Sequence, residues 1–354
     1  MRKTSLKPRS IIIFPFTKKG YALGEALNSL AGTVSIYRPA ELKEGKFKAL
    51  VSEAFSSSRA LVFIGAAGIA VRAIAPHLQG KEKDPAVIAM DEKGRFVISL
   101  VSGHLGGANR LTEEIARLLN ATPVVTTATD VNALPCIEDV AIEFNLAIEN
   151  VSAIKALNSA ILGGKPVHII EKNRKRLAAI KSFLVKRASG IFTFGSEYRK
   201  GSKAVALISS DLNLKTPPGM SGRTLILRPR EFVAGVGCRR GTSGEDIGRT
   251  VDSAFKARGV SPLCIRNIAT IDIKGDEAGL LEFADSRGLE LELFTAKELN
   301  TRATRSSSFV LSATGARGVS EPAALISAGA KRLWLKKQKS ARVTVAAARV
   351  PFTS

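Results

Sequence analysis

Short runs of β-branched and aromatic residues alternate along this chain with segments whose apolar residues recur at helical spacing. The first three runs are IIIFPF, TVSIY and RALVFIG, and the third is followed by the small-residue turn GAAG and a helix-like segment. Strands that alternate with helices form βαβ units, so this order predicts an α/β fold with a largely parallel sheet. PAVIAM and RFVISLV flank the turn-forming tetrapeptide DEKG, which predicts one hairpin within that sheet.

The pattern weakens between about residues 139 and 225 and then becomes clear again. NRKRLAAIKSFLVKR favours a helix and KAVALISS a strand, whereas DLNLKTPPGMSGRT is rich in Pro, Gly and Ser and indicates a linker. A new unit of strand, glycine loop and helix begins at EFVAGVGCRRGTSGEDI. We therefore predict two α/β domains, residues 1–138 and 226–354, joined by a smaller middle region, residues 139–225.

The charge of the chain indicates an acidic partner. Its 354 residues include 53 Lys and Arg against 31 Asp and Glu, a net charge of +22, which raises the local concentration of anions. A polycarboxylate or phosphate metabolite, nucleic acid and anionic lipid would all satisfy it. One Trp and three Tyr offer few platforms for stacking bases, and no apolar run is long enough to span a bilayer. We therefore expect a small acidic ligand, with neither a nucleic-acid nor a membrane partner.

The three cysteines, Cys136, Cys238 and Cys264, bear on the compartment. They are widely separated and odd in number, which suits a reducing cytoplasm better than a disulfide framework. They do not show the paired spacing of a metal site, and the first apolar run is too short for a signal peptide. We therefore expect a cytoplasmic protein without a metal site of its own, in which Cys238 is a packed residue and not a nucleophile.

The segment LVSGHLGGANRLTEEIARLL contains one of only three histidines, His104, among glycines between a predicted strand and a predicted helix. Helix N-termini present unpaired amides that attract anions, and an imidazole can transfer protons near neutral pH. The alternative is a turn in which the histidine is structural, but the position at a strand end favours a site. Other polar or glycine residues expected at the same sheet edge are Ser102, Gly103, Gly106, Gly107, Asn109, Thr126, Thr127, Thr129 and Asp130.

GVGCRRGTSGE is a second glycine loop, and it has neither the P-loop ending nor the dinucleotide spacing. Thr242 and Glu245 have the spacing of a capping box. The candidate ligand contacts of this loop are Gly235, Gly237, Arg239, Gly241 and Thr242, and Arg240 adds a second positive charge beside the glycines.

Two further turns follow in the same region. TIDIKGDEAGLLE places Asp272, Lys274 and Glu277 at a turn that could equally be a capped helix start with surface charges. ATGARGVSEPAAL predicts another helix, with Ser320 as its cap and Pro322 in its first turn.

Several of these motifs together resemble a known family. FIGAAGIAVRAIAP, KDPAVIAMDEKGRFVISLVSGHLGGANRLTEEIA and PVVTTATDVNAL are similar to the amino-terminal region of the CbiG family, the cobalt-precorrin-5A hydrolases of anaerobic cobalamin biosynthesis. VAGVGCRRGTSGEDI, ATIDIKGDEAGLLEFA and GVSEPAALISAG are similar to its carboxy-terminal region. The resemblance covers roughly residues 55–150 and 230–350, and Ala66-Ala67 depart from the bulkier or hydroxylated residues expected there.

The resemblance implies hydrolysis of a δ-lactone on a tetrapyrrole polycarboxylate, with release of acetaldehyde. Cobalt would arrive inside the substrate, so no cofactor and no resident metal are implied. We expect His104 to act as the base, the Gly106 and Gly107 amides to stabilise the oxyanion, and Asp130 or Glu277 to share later proton transfers. Arg72, Arg239 and Lys274 would bind peripheral carboxylates. The alternative is a carrier of corrinoid intermediates without catalysis, and other enzymes of the pathway or a second copy of the chain are further candidate partners.

Overall fold

The computed structural model describes residues 10–30, 33–43, 45–80, 83–188, 190–302 and 308–352. The chain divides into two compact units after Asp139, and each is described by itself. In the described residues, no helix combines the length and the apolar character that crossing a membrane requires. The predicted α/β class is confirmed: three mostly parallel sheets are interleaved with helices.

The first unit is a six-stranded sheet covered by helices on both faces. Its strands, in the spatial order β2-β1-β3-β4-β5-β6, are all parallel to their neighbours except that β4 and β5 form the predicted hairpin. Its elements are β1 (Ile11–Pro15), α1 (Lys18–Glu25), β2 (Val34–Ile36), α2 (Pro39–Lys43), α3 (Phe47–Ser57), β3 (Ala60–Ile64), α4 (Ala67–Ile74), β4 (Ala86–Met90), β5 (Phe96–Val101), α5 (Ala108–Leu119), β6 (Thr122–Val124) and α6 (Ala128–Val131).

The apolar runs of this unit follow from its layered packing. β3 and β4 are buried at all five of their positions, as expected for parallel strands that are covered on both faces. Leu111 and Ile115 of α5 pack on one face of the sheet, and Val51 and Phe55 of α3 pack on the other. The carboxyl ends of β5 and β6 lie side by side because these two strands are parallel neighbours.

The second unit begins with a five-stranded sheet in the order β7-β11-β10-β8-β9, in which only β7 is antiparallel to its neighbour. Its elements are α7 (Ile137–Glu143, which extends across the division), β7 (Leu146–Ile148), α8 (Ile154–Leu162), β8 (Val167–Glu171), α9 (Arg174–Val185), β9 (Phe192–Gly195), β10 (Ala204–Ile208) and β11 (Thr224–Pro229). The Pro- and Gly-rich segment connects β10 to β11 within this one sheet, so our interpretation of it as an interdomain linker was wrong. β11 extends the sheet to Pro229, past the predicted boundary at 225/226.

A third sheet completes the second unit, in the order β14-β13-β12-β16-β15. β12, β13 and β14 are parallel, and β16 is antiparallel to both of its neighbours. Helices α10 and α11 pack on one face, and α12 and α14 pack on the other. The elements are β12 (Phe232–Cys238), α10 (Gly244–Lys256), β13 (Ile265–Ile271), α11 (Ala278–Ser286), β14 (Glu290–Phe294), α12 (Ala296–Asn300), α13 (Ser308–Thr314), α14 (Ser320–Ala328), β15 (Leu335–Lys339) and β16 (Val343–Arg349).

Two helices that pack on this sheet, α10 and α14, have N-cap residues that differ from the predicted ones. Ser243 caps α10, with its hydroxyl accepting the amide hydrogen of Asp246, so the N-cap lies one residue later than the predicted Thr242, and the predicted Thr242–Glu245 capping box does not form. The cap of α14 is Val319, and Ser320 is already the first helical residue. Both errors are shifts of one residue, and each moves a hydroxyl from a cap position into buried packing.

Candidate active site

In the loop between β5 and α5, glycines allow the backbone to pack closely against Ser102. Ser102 has a φ of 60° and its Oγ is buried without a hydrogen-bond partner in the described residues. A Cβ added to Gly106 would lie 2.4 Å from the Ser102 Cβ, and one added to Gly103 would lie 2.7 Å from the Asn109 Oδ1. Gly107, whose φ is 82°, precedes the first residue of α5. The glycines are therefore required by close packing and by backbone conformation.

His104 stands in this loop and faces the segment that follows β6. Its Nε2 lies 3.0 Å from the Thr129 Oγ1 and 3.5 Å from the Asp130 Oδ2. The ring is largely buried, with 15% of the side chain exposed, whereas 35% of the Asp130 side chain is exposed. The pair is thus partly shielded from water but open to a ligand, which is the arrangement of an acid–base group with a carboxylate partner.

Asn109 connects this pair to the sheet. Its Nδ2 donates to the Asp130 Oδ2 and to the Thr127 Oγ1, both at 3.1 Å, and its Oδ1 accepts from the Ser99 hydroxyl at 2.7 Å. The structure therefore brings together five of the predicted residues of the first unit: His104, Asn109, Thr127, Thr129 and Asp130. Thr126 is exposed beside them, and Arg72 lies exposed on α4, donating to the Gly68 carbonyl at 3.3 Å.

Some of the backbone N–H groups of this loop already donate hydrogen bonds within the protein. The Gly107 N–H donates to the His104 carbonyl at 3.0 Å, so it is not free to stabilise an oxyanion as we predicted. The Leu105 and Gly106 amides have no acceptor among the described residues. These two N–H groups remain the candidate donors beside the imidazole.

The second unit contains a strongly cationic cavity of about 680 Å³ at the GVGCRRG loop. That volume is typical of a small-molecule site. Among the described residues that line it there are six basic side chains and no carboxylate, and the rest of the wall is largely apolar. The basic residues are Arg239, Arg240, Lys274, Lys337, Lys339 and Arg342. An anionic ligand with an apolar body fits this combination.

Glu277 holds this loop in place. It is buried, its Oε1 accepts the Gly241 amide hydrogen at 2.7 Å, and its Oε2 lies 3.1 Å from the Lys274 Nζ. Burial opposes its ionisation, but the hydrogen bonds from Lys274 and Gly241 outweigh burial and lower the pKa of the carboxyl. Both oxygens are therefore occupied in this geometry. The Thr242 hydroxyl donates to the Arg239 carbonyl at 2.6 Å and fixes the other side of the loop.

The other predicted residues of the second unit separate into two groups. Gly237, Arg239 and Lys274 line the cavity. Gly235 lies under α14 instead, where an added Cβ would be 1.8 Å from the Ser320 carbonyl oxygen, and Asp272 accepts the amide hydrogen of Ile273 at 2.7 Å.

Arg240 lines the cavity beside Arg239, whereas three other basic lining residues were not identified from the sequence: Lys337, Lys339 and Arg342. A signal existed for Lys337 and Lys339, because residues two apart in a strand share a face. Cys238 also lines the cavity, and burial, the largest influence, raises the pKa of its thiol to about 11, so it is not an activated nucleophile.

A partly shielded imidazole–carboxylate pair in one unit and a cationic cavity in the other define a protein of the class that binds and transforms acidic small molecules. Family models described as Cobalamin synthesis G N-terminal and Cobalamin synthesis G C-terminus match residues 49–130 and 232–348. The chain belongs to the cobalamin synthesis G (CbiG) family, as the sequence motifs predicted.

Individual relatives support the same assignment. The chain is 32% identical over 314 residues to a cobalt-precorrin-5A hydrolase of Priestia megaterium, with 88% of this chain and 84% of that protein covered. It is 33% identical over 336 residues to a cobalt-precorrin-5A hydrolase of Salmonella typhimurium, with 92% and 94% covered. Protein CobE of Sinorhizobium sp. is 33% identical over 121 residues, which are 33% of this chain and 79% of that protein.

Proposed function

We propose that this chain hydrolyses cobalt-precorrin-5A in anaerobic cobalamin biosynthesis, opening the δ-lactone and releasing acetaldehyde to give cobalt-precorrin-5B. The observation that carries the proposal is the similarity to two proteins of that name over most of each chain, with both family regions in order. The His104 cluster and the cationic cavity are the features that such a reaction requires.

His104 is the proposed base of the first step. It takes a proton from water as the oxygen adds to the lactone carbonyl, and Asp130, at 3.5 Å, stabilises the imidazolium that forms. The Leu105 and Gly106 amides are the candidate donors to the oxyanion. When the intermediate collapses, the ring oxygen leaves as an alkoxide and receives the proton from His104, which gives a carboxylic acid and a free hydroxyl.

The second step expels the two-carbon unit. The new hydroxyl loses its proton, its oxygen forms the carbonyl of acetaldehyde, and the electron pair of the broken carbon–carbon bond passes to the macrocycle. A base must accept the hydroxyl proton, and an acid must return a proton to the ring system. We assign these transfers to Asp130 and His104, whereas Glu277 keeps its predicted role only if Lys274 and the Gly241 amide release it.

The cationic cavity is the proposed site for peripheral carboxylates of the substrate. Arg239 and Lys274, predicted from the sequence, are joined there by Lys337, Lys339 and Arg342. A charge-assisted hydrogen bond contributes about 1.5–3 kcal/mol where it is shielded from water and less where it is exposed. Cobalt enters as part of this substrate, so its binding requires no protein ligand.

Release of acetaldehyde from purified cobalt-precorrin-5A tests the proposal, and it also separates the enzyme from a non-catalytic carrier. We expect His104→Ala to lower turnover by about 10²–10⁴-fold, which is the usual contribution of a general base. His77→Ala is the matched control, because His77 packs against Phe55 outside the cluster. Binding of the substrate without release of acetaldehyde by the parent protein would favour the carrier, and full turnover by His104→Ala would exclude this base.

A location in the cytoplasm, association with other enzymes of the pathway and a homodimer stay predictions from the sequence. Reduced cysteines are consistent with the first of these, since Cys136, Cys238 and Cys264 are all free in the structure. Sedimentation of the purified protein tests the homodimer directly.

A further inference from the structure

Three side chains with metal-ligand atoms converge beside the loop of the first unit. A ring nitrogen of His104, the Sγ of Cys136 and a carboxylate oxygen of Asp139 all lie within 4.8 Å of one another. Among the described residues, these three are the only group of three or more His, Cys, Asp or Glu side chains whose possible ligand atoms lie this close together. Cys136 is fully buried, whereas His104 and Asp139 are partly exposed, so solvent contacts the group at these two side chains.

The three residues are held by the elements around them. Asp139 lies in the first turn of α7, and its Oδ2 accepts the Cys136 amide hydrogen at 3.0 Å, which ties the carboxylate to the thiol-bearing residue. The His104 ring is oriented by contacts of its Nε2 with Thr129 and Asp130. Outer contacts of this kind fix the orientation of ligating side chains in metal sites.

We propose that His104, Cys136 and Asp139 bind a divalent cation of the zinc and cobalt class. One imidazole, one thiol sulfur and one carboxylate form a donor set that such borderline cations prefer, whereas magnesium and calcium prefer oxygen alone. Three protein ligands leave a fourth position for water, as in catalytic zinc sites. Bond lengths of about 2.0–2.3 Å place tetrahedral ligands about 3.3–3.8 Å apart, so movements of about 1 Å close the site.

A cation bound at this site would change the roles of His104 and Asp130 in the proposed reaction. Binding of the cation is independent of the proposed function, but its catalytic use rests on it. If a cation were bound, His104 would be one of its ligands and not the base, the cation would supply Lewis-acid activation of water, and Asp130 would be the remaining group able to accept a proton. This assignment differs from our sequence-based expectation that the protein has no resident metal.

Spectroscopic titration with Co²⁺ tests the site without reference to activity. The full-length protein is freed of metal with a chelator and titrated with CoCl₂, and one equivalent is expected to produce both a thiolate-to-cobalt charge-transfer band and the intense d–d bands of a tetrahedral site. Cys136→Ser is expected to remove the charge-transfer band, and Asp139→Asn, which keeps an acceptor for the Cys136 amide, to weaken binding by at least tenfold. Cys264→Ser is the matched control, because Cys264 is equally buried and lies outside the group.

Two results would overturn the proposal: the absence of saturable binding by the parent protein, or a charge-transfer band that persists in Cys136→Ser. If Cys136→Ser does not fold, X-ray absorption of the zinc-loaded parent decides the matter, since one sulfur ligand is expected and a shell of nitrogen and oxygen alone contradicts it. Acetaldehyde release by the metal-free parent at the full rate would leave the site structural. No release by either form would refute the proposed function without affecting the metal site.

Discussion

The packing of Gly106 over Ser102 is predicted to control the position of His104. A Cβ at residue 106 would lie 2.4 Å from the Ser102 Cβ and 2.9 Å from the Ser102 carbonyl oxygen, whereas ordinary contacts begin at 3.4 Å. The Gly106→Ala loop must therefore move by about 1 Å, because the first neighbour is a rigid Cβ and the second is backbone. We expect a loss of stability of about 1–3 kcal/mol from overpacking.

The effect on catalysis should exceed the effect on stability. The Nε2 of His104 lies 3.0 Å from Thr129 and 3.5 Å from Asp130, so a displacement of about 1 Å breaks one or both contacts. A misplacement of this size costs about 10²-fold in rate. The assay is kcat for acetaldehyde release, measured at a temperature where denaturant unfolding shows each variant to be fully folded.

Gly94→Ala is the control matched for stability. Gly94 lies in the β4–β5 turn with a φ of 64°, and an alanine there carries about 1–2 kcal/mol of backbone strain. It should lower the free energy of unfolding by a similar amount and leave kcat unchanged. If Gly106→Ala retains kcat within threefold of the parent, or if both variants lose activity equally, then the loop does not position the imidazole as argued.

Two further predictions concern the second unit. Lys337→Gln and Lys339→Gln should each raise KM about fivefold, equivalent to about 1 kcal/mol for an exposed ion pair, and the effect should shrink in high salt. Lys336→Gln, at an exposed position of β15 outside the cavity lining, should leave KM unchanged, and an equal rise there would contradict the cavity as the binding site. Glu277 has a folded pKa below its ordinary value of 4.5, so its stabilisation is complete above that pH and is lost as pH falls through the lowered folded pKa. Chemical denaturation should therefore show the parent more stable than Glu277→Gln at neutral pH, with a gap that closes in acid, and a constant gap would show that ionisation is not involved.

The candidate site in the first unit could be predicted from the sequence because it depends on the order of strands, loops and helices along the chain. Glycines between a buried strand and an amphipathic helix predict a loop at the sheet edge. β5 and β6 are parallel neighbours, so the segments that follow them, with His104 in one and Thr129 and Asp130 in the other, meet at that edge. The alternation of strand and helix was sufficient to predict this juxtaposition without knowledge of any side-chain contact.

Other features depend on the path of the chain in three dimensions. Cys136 and Asp139 approach His104 only because the segment after α6 passes the loop again, and their separation along the sequence does not show a metal-site spacing. Lys337, Lys339 and Arg342 reach the GVGCRRG loop about a hundred residues away because β16 pairs antiparallel with β12. The cap of α10 could be assigned in two registers, since Thr242 and Ser243 are adjacent hydroxyls. In the structure the Thr242 hydroxyl donates to the Arg239 carbonyl and accepts from the distant Arg342 Nε at 3.4 Å, and Ser243 is the cap.

The position of the Asp130 carboxylate beside His104 depends on hydrogen bonds that begin in the sheet. The hydroxyl of Ser99, within β5, donates to the Asn109 Oδ1, which determines which end of that amide faces Asp130. The Nδ2 must then donate, and the hydrogen bond at 3.1 Å holds the carboxylate beside the His104 ring. Asn109 is buried in the first turn of α5, so a buried side chain that is bonded to the sheet orients a partly exposed carboxylate. The loop packs against the same amide, since a Cβ added to Gly103 would lie 2.7 Å from the Asn109 Oδ1, so Asn109 aligns the carboxylate with both the sheet and the loop that carries the imidazole.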